Sequence, residues 1–115
     1  VQIDWPEYCR VHANRANLLV HLFAVPLFIV AVVLLVRCIF RGDWVSAVVV
    51  IGIAMLAMAL QGRGHKEEAN PPRPFASPAN FLKRWFTEQF IIFPLFFLTG
   101  RWWRQWKSAA ERHES

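Results

Sequence analysis

Hydrophobic residues in this chain fall in two long blocks rather than in a stripe. The first runs from Asn17 to about Phe40 and the second from Trp44 to about Gln61. Within the first, Leu27-Phe28-Ile29-Val30-Ala31-Val32-Val33-Leu34-Leu35-Val36 has no polar interruption, and a helix apolar all round belongs in lipid or deep in a large core. A chain of 115 residues has no large core to offer. A hydrocarbon slab of roughly 30 Å needs about 20 helical residues, so each block predicts a membrane span. Arg41-Gly42-Asp43 between them predicts a tight turn in water. The expected fold is an all-α integral membrane domain, 1–115, built on a two-span hairpin with spans over 17–40 and 44–61.

Around the hairpin the pattern changes. Residues 1–16 are mostly polar, with an aromatic anchor at Trp5 and a short helix opened by Asp4 and Pro6. Residues 62–79 hold Gly62, Gly64, Asn70, Pro71, Pro72, Pro74 and Pro78, which predicts a connector. From Asn80 apolar residues recur at one-turn spacing: Phe81, Leu82, Trp85, Phe86, Phe90 and Phe93. The core of this 80–107 region, Phe90 to Leu98, contains Pro94 and is about half a span long. It predicts an interfacial or re-entrant helix, dipping into one leaflet or packing along the hairpin. Trp102, Trp103 and Trp106, interleaved with Arg101, Arg104 and Lys107, have the composition of a headgroup-level belt. Residues 108–115 read as a disordered tail, with His113 solvated.

Composition agrees with lipid as the solvent, since 56% of residues are hydrophobic and mean hydropathy is positive. A cleaved signal peptide is the competing reading of the first block. The block is too long for one, no small-residue cleavage site follows, and a second block arrives within a few residues. The net charge of +5 does not predict nucleic-acid binding, because the basic residues sit at helix ends beside tryptophans. Arg10, Arg15, Arg63, Lys66, Arg73, Lys83 and Arg84 gather at the open end of the hairpin, against Arg37 and Arg41 at its turn. The positive-inside rule therefore places both termini in the cytoplasm. Cys9 and Cys38 fall at opposite ends of the first span, too far apart for a disulfide.

Candidate chemistry follows from the hairpin's register. With the turn centred near Arg41, residues whose numbers sum to roughly 82 share a depth, so His21 faces Gln61 and Asn17 is level with His65. Asn17 and His21 are four apart, as are Gln61 and His65, and His65 and Glu68 are three apart, spacings that keep each pair on one helical face. Polar residues inside a span are costly and suggest function, although Asn17 and Gln61 also suit interhelical hydrogen bonding alone. Three of the chain's four histidines, His12, His21 and His65, fall at or near this level. Neutral imidazoles with a nearby carboxylate suit zinc or ferrous iron. On one continuous helix, His12 and His21 would be separated by about 180° and roughly 13 Å. Sharing a metal requires a bend, expected at Asn14 or near Arg15.

The pattern Tyr8…His12…Asn17…His21…Pro26, followed by Gln61…Gly64-His65…Glu68…Pro71, resembles the Mpo-like membrane dioxygenases, relatives of a yeast fatty acid α-dioxygenase of the phytosphingosine pathway. The likeness runs from about Tyr8 to Pro78. It departs at Ala13 and Ala24, where members often carry histidine or serine and glycine, and at Glu68, which follows its histidine by three residues instead of four. The resemblance implies a ferrous-iron dioxygenase that shortens a 2-hydroxy fatty acid by one carbon, consuming O₂ and releasing CO₂. Its metal-binding histidines map onto His12, His21 and His65. Glu68 is then expected to orient an imidazole or shuttle a proton, with Asn17 and Gln61 supporting it. Arg15, Arg63 or Lys66 would attract the substrate carboxylate. The expected partners are a lipid or fatty-acid substrate, O₂, the bilayer and a possible second copy of the chain. The alternatives are a non-catalytic membrane subunit and a structural Zn²⁺ site.

Overall fold

The computed structural model describes the backbone of residues 3–114 and the side chains of residues 3–109. Its regular elements are all helical: α1 (Trp5–Val11), α2 (Arg15–Arg41), α3 (Trp44–Lys66), α4 (Pro78–Thr87), a π-helical turn (Glu88–Ile92), α5 (Phe93–Leu98) and α6 (Arg101–Glu114). Asp4 caps α1 by accepting from the Glu7 amide, and Asn14 caps α2 through the Asn17 amide. Gly42 ends α2 in the left-handed region at φ 67°, a conformation that glycine adopts without a side-chain clash. Asp43 then caps α3 through the Ser46 amide. Two helix ends and a reversal are thus completed within three residues.

Helices α2 and α3, 27 and 23 residues long, are both apolar enough to cross a membrane. Only 28% and 22% of their most apolar stretches are buried within the molecule, so they are not core helices of a globular domain. Phe23, Val33, Phe40, Val45, Val48 and Met55 point outward, each more than 60% exposed. Between the helices, small residues line the contact: Ala24, Ala31, Ala47 and Ala57 are all buried, letting the two backbones approach.

The second helix continues past Gln61 to Lys66, into the segment expected to be a connector. Gly62 and Gly64 do not stop it, and Gly64 packs directly against α2. A Cβ there would collide with Asn17 Oδ1 and press on Val20 Cγ1. The helix ends before Pro71 and Pro72, which cannot continue it.

The aromatic region packs along the hairpin. Phe28 of α2 meets Trp85, Phe86 and Phe90 at centroid distances of 5.3, 5.9 and 6.3 Å. The π turn lies just before Pro94, whose ring would clash with the carbonyl four residues back in a regular helix and which has no N–H to donate. Widening the preceding turn accommodates it, and the Phe93 amide bonds the Glu88 carbonyl.

Gly100, at φ 81°, turns the chain into α6. The interfacial belt expected there is divided. Trp102 is buried at 2% exposure and donates its indole N–H to the Leu18 carbonyl at 3.1 Å, whereas Trp103 is 54% exposed. Trp106 stacks on Trp102 and carries the Arg15 guanidinium at 4.1 Å. The buried cluster joins Tyr8, Leu18, Val25, Phe93, Phe96 and Trp102, so α6 belongs to the core on one face. Its backbone stays helical through Glu114, where a disordered tail was expected. The side chains beyond Ala109, His113 among them, lie outside the described residues.

Candidate metal centre

Three elements deliver the histidines. His12 is the C-cap of α1, at φ −128°, ψ 52°, and the bend that follows it lets α2 start in a new direction. His21 is buried on α2, and His65 lies in the last turn of α3. One potential ligand atom from each lies within 4.8 Å of the other two. The rings sit 4.8 to 5.0 Å apart, and each pair is near perpendicular at 77° to 83°. The separation that one continuous helix would impose on His12 and His21 is removed by the bend between Val11 and Arg15.

Backbone carbonyls orient two of the rings. His12 Nδ1 is 2.8 Å from the Tyr8 carbonyl and His21 Nδ1 is 3.0 Å from the Asn17 carbonyl, each oxygen four residues earlier. A carbonyl accepts only, so each Nδ1 carries the proton and each Nε2 keeps its lone pair. His12 Nε2 and His65 Nδ1 are buried with no hydrogen-bond partner among the described residues. Burial, reinforced by His21 and His65, pushes the His12 imidazole well below its usual pKa. The set is therefore neutral nitrogen donors, two of them with unmet bonding capacity, which is the donor chemistry a borderline divalent cation takes.

Glu88 of the π turn stands beside this group. Its Oε1 accepts the Tyr8 hydroxyl at 2.6 Å and lies 3.8 Å from His12 Nε2. The Tyr8 ring stacks on His12 with centroids 4.0 Å apart and planes 16° from parallel. Burial raises the Glu88 carboxyl to about 7, against the opposing effect of the Tyr8 hydrogen bond. Tyr8 is pushed well above its usual pKa by burial and by Glu88, and so remains the donor.

The other expected site residues take different places. The Glu68 carboxylate makes no hydrogen bond or ion pair with a histidine among the described residues, although its backbone amide donates to the His65 carbonyl at 3.2 Å. It accepts from the Ala13 and Asn14 amides at 2.8 and 3.0 Å, and from Asn17 Nδ2 at 2.6 Å. Glu68 thus ties the end of α3 to the bend that carries His12, and Asn17 supports it. Gln61 does not bond His21 but exchanges two hydrogen bonds with Gln89, at 2.8 and 2.7 Å. Arg15 is engaged with Trp106, donating from Nε to its carbonyl at 3.2 Å, while Arg63 and Lys66 are exposed. Neither Glu88 nor Gln89 was singled out from sequence. The available signal was the pair of polar residues set into an apolar aromatic run, a few positions before Pro94.

The chain belongs to the family described as 2-hydroxy-palmitic acid dioxygenase Mpo1-like, whose model matches residues 1–93. That stretch contains all three histidines, Tyr8 and Glu88. No curated protein and no solved structure matches the chain.

Proposed function

We propose that this family member is a membrane-embedded, iron(II)-dependent dioxygenase of lipid α-oxidation. It would convert a 2-hydroxy fatty acid and O₂ into the acid one carbon shorter, CO₂ and water. The observation that carries this reading is the group of three neutral imidazoles at the open end of the apolar hairpin, with ligand atoms within 4.8 Å of one another. The family's description supplies the substrate class and the use of oxygen. The outward apolar faces of α2 and α3 support insertion in a bilayer, and the basic residues at the open end support a cytoplasmic position for the site.

His12, His21 and His65 would hold the cation, and three protein ligands leave coordination positions free. Bound ferrous iron supplies the redox chemistry for activating O₂. The protein's own part is positional. The Tyr8 and Asn17 carbonyls fix the tautomers of His12 and His21, which raises their ligand strength. Glu68 holds the α1–α2 bend against α3, so that His12 and His65 stay at one level. The apolar surface around the hairpin keeps the acyl tail in lipid while the polar head reaches the histidines.

Anaerobic loading of detergent-purified protein with ferrous iron, followed by a 2-hydroxy fatty acid and oxygen, tests the reading. Expected are one iron per chain, oxygen uptake and an acid one carbon shorter, all lost in the His21→Ala/His65→Ala variant. Folded protein that holds no iron and behaves identically to that variant sinks it. Tight zinc without oxygen uptake, and unfolding on chelation, would identify a structural site instead.

A further inference from the structure

The two acidic residues near the histidines have unlike surroundings. Glu68 is occupied by two backbone amides and Asn17. Glu88 has one donor among the described residues, the Tyr8 hydroxyl, and keeps 18% side-chain exposure. Glu88 is outside the set of ligand atoms that lie mutually within 4.8 Å. It therefore stands beside the three-histidine group, at the His12 side of it.

The placement of this carboxyl is built. Tyr8 stacks on His12 and holds Glu88 Oε1, so three side chains form one unit in which the acceptor stands 3.8 Å from the unpartnered His12 Nε2. The π turn behind it puts successive residues to use on the inner side, Glu88 toward Tyr8 and Gln89 into the pair with Gln61. A regular helix would rotate neighbouring residues 100° apart. Gln89 is fully buried and bonded on both amide atoms to Gln61, which anchors the turn and fixes where Glu88 stands.

A half-buried carboxylate beside a coordination site suits one kind of ligand: an acid whose coordinating head carries a hydroxyl donor on the adjacent carbon. An acid without that hydroxyl leaves Glu88 with the Tyr8 hydroxyl alone and its remaining acceptor capacity desolvated and unmet, and sites built to bond a hydroxyl reject analogues lacking it far more strongly than apolar pockets reject a missing methylene. A divalent cation at the histidines favours the ionised carboxylate.

Resting on the reading above, we infer that Glu88, held by Tyr8 beside His12, accepts a hydrogen bond from the α-hydroxyl of the bound acid and so selects 2-hydroxy acids over unsubstituted ones. Glu88 is thereby a specificity residue, and Tyr8 is the positioning residue that acts through it.

The test uses full-length protein in detergent loaded with Co(II), which reports ligand binding through its visible spectrum without turnover. It is titrated with 2-hydroxydecanoate and with decanoate. Wild type is expected to bind the hydroxy acid at least about tenfold more tightly, from the strength of a hydrogen bond to a charged acceptor. Glu88→Met should reduce that ratio to near one by weakening the hydroxy acid alone, with Co(II) affinity retained. An unchanged ratio in Glu88→Met, or equal binding of both acids by wild type, overturns the inference. If Glu88→Met does not fold, Glu88→Gln decides: a ratio at least about threefold lower supports the assignment, and an unchanged one refutes it. Wild type that binds no Co(II), or whose spectrum neither acid alters, refutes the metal-centre reading itself.

Discussion

The Gln61–Gln89 pair ties the hairpin to the π turn, and its contribution can be worked out from its geometry. The residues are 1% and 0% exposed, and their amides exchange hydrogen bonds of 2.8 and 2.7 Å. Gln61→Met keeps the side chain's length and removes both polar atoms, leaving Gln89 with one donor and one acceptor buried and unbonded. At about 1–3 kcal/mol for each unsatisfied group, the loss would be about 2–6 kcal/mol. Pairs within membrane bundles run lower, averaging about 0.6 kcal/mol with a maximum near 1.7, because the unfolded chain in lipid also finds partners. The expected loss for either single variant is therefore about 2 kcal/mol, at the low end of the first range. Replacing both glutamines by methionine removes all four polar atoms, leaving nothing unsatisfied, and should bring the loss back to within about 1 kcal/mol of wild type. Equilibrium unfolding of the four proteins in mixed micelles, titrated with a denaturing detergent, gives the coupling directly. Additive losses, or single variants within about 0.5 kcal/mol of wild type, would refute a mutually satisfied buried pair.

Two further outcomes follow from other groups. Glu68→Ala strips the acceptor from the Ala13 amide, the Asn14 amide and Asn17 Nδ2; it should destabilise the protein by about 3 kcal/mol and weaken metal binding roughly tenfold, measured by unfolding and by metal titration, while leaving the preference for hydroxy acids unchanged. In metal-free protein, folding raises the Glu88 carboxyl from 4.5 to about 7, so the native state holds a proton that the unfolded chain has already released. Wild-type stability relative to Glu88→Gln should then be greatest below pH 4.5, decline as pH rises to about 7 and level off above it; a difference independent of pH across that window contradicts the burial of this carboxyl.

The parts legible in the sequence are those governed by length and period. Two apolar blocks and a charged tripeptide define α2, α3 and their turn, because an unbroken apolar block of this length makes one long helix and the glycine between the blocks permits the reversal. Antiparallel register then sets His21 against Gln61 and Asn17 against His65 at the same end of the hairpin, and the conflict between His12 and His21 on a single helix itself demands the bend that Asn14 caps. What was not legible depends on irregular backbone. Gly62 and Gly64 read as breakers because local propensity cannot report that Asn17 packs against Gly64. Glu88 and Gln89 were hidden because one-turn spacing assumes 3.6 residues per turn, and the π turn before Pro94 shifts which residues face inward. Glu68, three residues after His65, has the spacing of a carboxylate partner to that imidazole, while its three donors come from residues 13 to 17. Trp102 shares a Trp- and Arg-rich run with Trp103 and Trp106, and its place in the buried cluster with its bond to the Leu18 carbonyl is what distinguishes it from the exposed Trp103.

The source of each imidazole sets an order of events during biogenesis. His12 and His21 emerge early, on either side of the Asn14 cap, but His65 arrives only with the last turn of α3, after both apolar helices have been made. If the three histidines hold a cation as proposed, two of them without the third would offer a weak and exchangeable site, and a growing chain would keep no metal before its hairpin had closed. A cation captured afterwards would join the first helix to the end of the third, closing a long loop of chain that nothing covalent closes. Loading would then serve as a checkpoint on insertion, and a chain whose second helix failed to enter the bilayer could be recognised by its inability to keep a metal.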